Sequence, residues 1–484
     1  MKNKSVSNNI IYNMLFQLFT TFLPVITTPY VSRVLGLEQN SIYSFVETIV
    51  TLVTVIGSIG TFLYGCRKIA YVRDDKEKLS QITYEIIALK LILLIPTLIL
   101  YALIFCINGS LSKYFLINII TVISSGIEIT WFFNGIEDFK TVTIRNFLVK
   151  IVFVILLFAF IKKPSDLSIY MYFVCISGFL GNLSMWFLLP KYLLPIRKIK
   201  KIKPFKHLKE SSILFIPQSA NYIYSLSDKV MLGYLTPNLT NVGIYDYAYR
   251  IVKMIVGLMQ SIGYVLLSRV ANLSSKNDFD GIVNYIYKSI RFTLFLAFPM
   301  LFGLIGISNE FVPFYLGNEY IEVTRVIYFL APLIIITSLN SVLGVQLLLA
   351  LKMDKQYIQA TVTGALLNII LNFIMIPMFG IYGACITSVV SEIVVFIIEY
   401  KKSSKYIKIK NIIKDNYKYF IVSILILIFC KLISLIDLKN YIKLIIDILV
   451  SCIIYFGVMI IVKDEIMILI KNKAFSILKI KTKI

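Results

Sequence analysis

The sequence predicts an all-α integral membrane protein of about 14 transmembrane helices, built as two parallel six-helix lobes followed by two further helices. Three observations predict it. The 484 residues are 58% hydrophobic and only 15% charged, with a mean hydropathy of +0.82, more apolar surface than a soluble fold of this length can bury. The apolar residues fall in continuous runs of about 20, enough helix to cross the hydrocarbon core, without the alternation of a membrane β-strand. The third is an internal repeat. Ile42-Tyr43-Ser44-Phe45-Val46-Glu47-Thr48-Ile49 matches Ile244-Tyr245-Asp246-Tyr247-Ala248-Tyr249-Arg250-Ile251. A Leu-Gly pair precedes each copy (Leu35-Gly36, Leu232-Gly233), and Ser-Ile-Gly (Ser58 to Gly60, Ser261 to Gly263) and an arginine (Arg67, Arg269) follow, as a duplication would leave them.

The first span, roughly 9 to 31, follows Lys2 and Lys4 as a signal peptide would, but it continues past Pro24 without a small-x-small cleavage site and reads as a retained helix. Spans at roughly 41 to 64, 84 to 107, 114 to 133, 143 to 161 and 169 to 190 complete an N-terminal lobe, 1–196. A basic cytoplasmic linker, 197–210, leads to the C-terminal lobe, 211–400, with spans at roughly 211 to 235, 243 to 268, 285 to 308, 325 to 350, 357 to 377 and 380 to 400. Residues 401–484 hold two extra spans, roughly 417 to 436 and 441 to 462, and a basic tail. An even number of spans separates the repeat copies, so the lobes enter the membrane in the same direction.

Lys and Arg gather in alternate loops, above all 197 to 209 and 401 to 418. That bias places both termini in the cytoplasm of a plasma membrane, since the opposite topology would carry those stretches across it. The formal charge of +23 is therefore read as orientation and gives no support to a nucleic-acid partner. The six cysteines are scattered without a CxxC pair, as small core residues are, so no metal or cofactor is expected. Pro24, Pro29 and Pro217, with Gly57, Gly60, Gly257 and Gly263, mark expected bends.

Specific strings then carry a family resemblance. Trp131-Phe132-Phe133-Asn134-Gly135-Ile136-Glu137-Asp138-Phe139 resembles the Trp-x-x-x-Gly-x-Glu-Asp-Phe motif of Wzx-type bacterial polysaccharide repeat-unit flippases. Asn368-Ile369-Ile370-Leu371-Asn372, Ile376-Pro377 and Gly380-Ile381-Tyr382-Gly383-Ala384 are similar to a further series of that family, as are Asp228 and Val230-Met231-Leu232-Gly233. Asn40-Ser41-Ile42-Tyr43 departs from the usual Gly-Ile-Tyr. The resemblance implies the multidrug/oligosaccharidyl-lipid/polysaccharide exporter superfamily, with two six-helix lobes around a central cavity. It implies a cargo of oligosaccharide on undecaprenyl diphosphate, carried to the outer leaflet for surface polysaccharides such as O-antigen or capsule. Membrane lipids, a polysaccharide polymerase and glycosyltransferases are the partners it implies.

Charges inside spans are the default site candidates, because they are expensive there. Arg250 and Lys253 share a face of the eighth span and would suit a diphosphate through charge-assisted hydrogen bonds; the alternative is ion pairing with Asp228 or Glu47. Glu47 and Asp228 could contact sugar hydroxyls or an entering ion, or keep helices in register. Lys150 and Glu392 occupy corresponding spans of the two halves with opposite signs, as a gate or a static pair would. Glu128 joins them as a coupling candidate. Arg33 could meet a departing diphosphate or anchor at the interface. Arg291 is a cavity candidate that could also snorkel to headgroups. Lys90 and Asp447 are read as close enough to span ends for snorkelling or local water. His207, the only histidine, sits in the basic linker, away from the spans, where a catalytic or relay role is not expected. A proton or sodium gradient could supply energy, and no Walker-type loop points to ATP. The competing readings are an ion-coupled multidrug exporter, which favours an acid-lined cavity, and a membrane polymerase, which needs a large outer loop or soluble domain with paired carboxylates. No such domain is visible in the sequence, so a transporter is expected and an enzyme is not.

Overall fold

The computed structural model describes residues 6–199, 201–276 and 278–468; the described residues are helical with no strand. Lys2 and Lys4 lie outside them, as do the side chains of Pro217, Ser261 and Arg269. The chain divides into two compact units, Met1–Gly243 and Ile244–Ile484.

The first unit contains α1 (Val6–Ser58), α2 (Thr61–Val72), α3 (Lys76–Tyr101), α4 (Ser112–Ile127), α5 (Thr130–Gly135), α6 (Phe139–Phe160), α7 (Leu167–Trp186) and α8 (Leu208–Leu235). The first two expected spans lie in α1, which turns at Gly36 with φ 75° and ψ 172°, a region essentially open to glycine alone. The Asn40 amide satisfies that turn by donating to the carbonyls of Gly36 at 2.8 Å and Val31 at 3.2 Å. The second Leu-Gly pair does something else. Gly233 lies inside α8, where a Cβ would overlap the Phe45 ring, so it serves close packing of α8 on α1. Asp75 caps α3, accepting from the amides of Glu77 and Lys78 at 3.1 Å each, and these bonds with the Lys78 ammonium hold its carboxyl below its usual range. Trp131, Phe132 and Phe133 are buried against Tyr64, Ile69, Ile86 and Met185 and form the apolar core at one end of the unit. α8 packs on α1 and α2 within this unit.

The second unit contains most of α9 (Thr240–Ser275), then α10 (Phe279–Tyr315), α11 (Ile321–Leu330), α12 (Leu333–Asn340), α13 (Asp354–Phe379), α14 (Ile381–Ser403), α15 (Ile409–Ser434) and α16 (Asn440–Ile461). The tenth expected span is broken: it bends by 48° between Leu330 and Leu333, where Pro332 has no N–H to continue the ladder. Beyond α12 it runs as a π-helical stretch, Ser341–Leu349. Gly380, at φ 58°, separates α13 from α14, and Gly383 lets the start of α14 lie against the Met375 backbone. The two C-terminal helices are part of this unit's core, with Tyr419, Cys430, Tyr455 and Met459 buried against Ile290, Phe295 and Leu343.

Among the described residues ten helices are long and apolar enough to cross a membrane, eleven with the bent pair. The protein is thus a multi-pass membrane protein. The expected 14 differs because α1 contains two spans as one segment, while α8 and α9, helical in the expected places, include side chains outside those described.

Candidate functional site

The family-type motif after the fourth span is an anchoring hub. Trp131 is fully buried, and its indole donates to the Glu128 carbonyl at 3.2 Å. A Cβ on Gly135 would lie 2.6 Å from Cβ of Ile69. Glu137, at φ 60°, pairs with Arg73, just past the end of α2, at 2.7 Å. Asp138 accepts from the Tyr192 hydroxyl at 2.7 Å and from Thr141 at 2.9 Å. Burial, and then the Asp138 carboxylate, pushes the Tyr192 phenol up to about 12.

Glu128 sits where α4 breaks before α5, in extended conformation. Its carboxylate accepts the Thr130 amide at 2.6 Å and the Thr130 hydroxyl, capping α5. Lys90 of α3 reaches the same carboxylate at 3.0 Å and the Glu128 carbonyl. The pair borders a cavity of about 390 Å³ whose other polar walls are Thr54, Ser58, Thr61, Ser125, Thr130 and Tyr222. A charged pair among hydroxyls can hold a polar solute, so the first unit has its own polar pocket. Lys90 is 5% exposed, which corrects the snorkelling expectation: a neighbouring helix supplies its counter-charge.

His207 is also buried, contrary to its expected place away from the spans. Its Nε2 lies 2.7 Å from Glu85 of α3 and its Nδ1 2.6 Å from the Tyr64 hydroxyl of α2. Around it the linker folds back onto α3. The Leu194 amide donates to Ser80 at 2.8 Å, the Lys203 amide to Glu85 at 3.2 Å, and Lys68 pairs with Glu210 at 2.9 Å. The Lys68 bond holds the Glu210 carboxyl below its usual range.

In the second unit Arg250 pairs with Asp246 one turn back at 2.8 Å, with half of its side chain exposed (51%) and Asp246 buried. Lys253 stands over the Tyr249 ring at 5.2 Å. α9 is pinned by Tyr245, whose hydroxyl is 2.9 Å from Ser388, and by Tyr247 packing edge-on to Tyr320. Arg291 ties α10 to the C-terminal helices through the Tyr419 hydroxyl at 3.1 Å, Asp464 at 3.3 Å and Glu465. Glu392 accepts the Asn340 amide at 2.6 Å. The Asn-x-x-Leu-Asn string links α13 to α14: the Asn372 amide donates to Asn368 at 3.2 Å and accepts from Thr387.

Of the remaining candidates, Asp228 is buried with its neighbour Lys229, Glu47 and Lys150 are half-buried, and Arg33 is exposed. Sequence reasoning missed Lys90 as a partner, His207 as a buried bridge, Asn340 and Glu399. A signal existed for Glu399: it follows Glu392 by two helical turns in the same apolar span. Asp447, expected to snorkel, is fully buried, and neither carboxylate oxygen accepts a hydrogen bond.

The "Putative O-antigen transporter" of Escherichia coli is 26% identical over 404 residues, 81% of this chain and 95% of that protein. A Haloferax volcanii protein, "Probable low-salt glycan biosynthesis flippase", is 31% identical over 190 residues, 39% of this chain and 40% of that protein. The structure of lipid II flippase MurJ in an inward closed conformation superposes with a TM-score of 0.72 at 19% identity, covering 94% of this chain and all of that one, so the fold is shared. The family model described as polysaccharide biosynthesis protein matches residues 6–274, more than half of the length, and the chain belongs to that family.

Proposed function

We propose that this chain is a flippase and not an enzyme. It moves undecaprenyl-diphosphate-linked oligosaccharide repeat units from the cytoplasmic to the outer leaflet, by alternating access, for surface polysaccharide biosynthesis. Family membership, the names of the Escherichia coli and Haloferax volcanii relatives and the shared fold support a lipid-linked oligosaccharide as cargo. The observation that carries the diphosphate is the cationic pair on α9. Arg250 is oriented by Asp246 yet keeps half of its surface exposed, and Lys253 follows one turn on. A guanidinium and an ammonium one turn apart on a helix suit phosphate oxygens through charge-assisted hydrogen bonds. Glycosyltransferases and a polymerase would act before and after it.

Arg250→Glu with Lys253→Glu should abolish surface polysaccharide, while the protein stays in the membrane and lipid-linked repeat units accumulate in the inner leaflet. Leaflet-resolved detection of those units checks this, and normal polysaccharide in the double variant would sink the reading.

A further inference from the structure

We propose that Glu399, together with Glu392, forms a proton-binding site inside the second unit, loaded and emptied during transport. Its use in transport rests on the flippase reading; its occupancy by a proton does not.

The two carboxyls lie on one face of α14, seven residues and about 10 Å apart. Glu399 is 1% exposed, and its Oε2 accepts no hydrogen bond. Glu392 receives the Asn340 amide, but the Oδ1 of Asn340, itself 7% exposed, has no donor. Both ends of the site are short of donors rather than acceptors. A proton on Glu392 would supply an O–H to Asn340 Oδ1 while the amide bond stays in place, and a proton on Glu399 removes a bare charge from the interior.

Among the described residues neither carboxyl forms an ion pair, and Lys352 and Lys355, around the start of α13, are exposed. The π-helical stretch Ser341–Leu349 and α12 carry no charged residue. α13 contributes the Tyr357 ring beside Gly344, and α11 meets α14 at its other end, where Tyr382 donates to Glu322. Besides Glu392, Tyr357 and its neighbour Tyr400, the titratable groups at this end of α14 are Lys401 and Lys402, both exposed past the carboxyl. Gly344 makes the room: a Cβ there would overlap Oε1 of Glu399. Oε1 lies beside Gly344 and the Tyr357 ring, Oε2 has no partner, and the second carboxyl is two turns away. That fits a proton and gives a metal ion too few oxygens. Loading forms one O–H bond with a proton from water, and emptying returns it.

The test is infrared pH-difference spectroscopy on the full-length protein in liposomes, with Glu399→Gln and Glu392→Gln. A protonated-carboxyl C=O band should be present in the wild type and lost in Glu399→Gln. In Glu392→Gln the Glu399 band should remain, because the new amide can take the place of the proton at Asn340 Oδ1. Identical spectra for wild type and Glu399→Gln would overturn the site. If the band behaves as expected but Glu399→Gln makes normal polysaccharide, transport does not use the proton, and the coupling half fails. The flippase reading is tested separately by the Arg250 and Lys253 double variant.

Discussion

At the residue scale, the Lys90–Glu128 pair shows how a membrane interior tolerates charge. Glu128 was legible as an intramembrane acid, and its role was not, because the residue that neutralises it is 38 positions away on another helix and only packing brings them together. The carboxylate also caps α5 through Thr130, so the pair is not reversible: a lysine at 128 could not accept that amide. Lys90→Met should leave Glu128 without its counter-charge at the cavity wall, at a cost of about 2–3 kcal/mol. Thermal unfolding of the purified protein reads the loss. The charge-swapped double variant should recover little of it, and full recovery would show that the cap contributes nothing. His207 was illegible for a similar reason. A lone histidine in a basic loop reads as solvated until the loop folds back onto Tyr64 and Glu85.

At the scale of elements, the helices were legible because apolar runs set them, and their breaks were partly legible because proline and glycine set those. Gly60, expected as a bend, separates α1 from α2 at φ 69°, whereas Pro24 and Pro29 lie inside α1 without breaking it, and the breaks at Gly36, Glu128 and Pro332 were not among those expected. The repeated Leu-Gly pair is a warning: one copy is a turn and the other a packing contact, so shared sequence did not preserve a shared local role. The junction of α10, α15 and the segment after α16 is testable through pH. Burial alone would raise the Asp464 carboxyl, but hydrogen bonds from Lys418 and Tyr419 outweigh it and hold the group below its usual range. A lowered acid adds stability above its unfolded value of about 4, lost as pH falls through the lower folded value. The wild type should therefore lose stability below about pH 4. Asp464→Asn should be weaker by about 2 kcal/mol at neutral pH and flatter across the acid range, as melting temperatures against pH would show.

At the scale of the whole molecule, charge placement and packing make separate demands on the same loops. The basic stretches 197 to 209 and 401 to 418 orient the chain if they stay in the cytoplasm. Yet the first is also stitched to Glu85 of α3 through the Lys203 amide and the buried His207, so the orienting charges and the structural linker are one segment. The loop Asn318–Tyr320, between α10 and α11, contains no lysine or arginine, as a segment exported to the outside should. In a background with the six cysteines replaced, Asn318→Cys should react with a membrane-impermeant maleimide added to intact cells. Lys198→Cys and Lys405→Cys should react only after the membrane is opened. Labelling of Lys198→Cys in intact cells would invert the topology. It would also place the anchoring hub at Glu128, Glu137 and Asp138 toward the outer side.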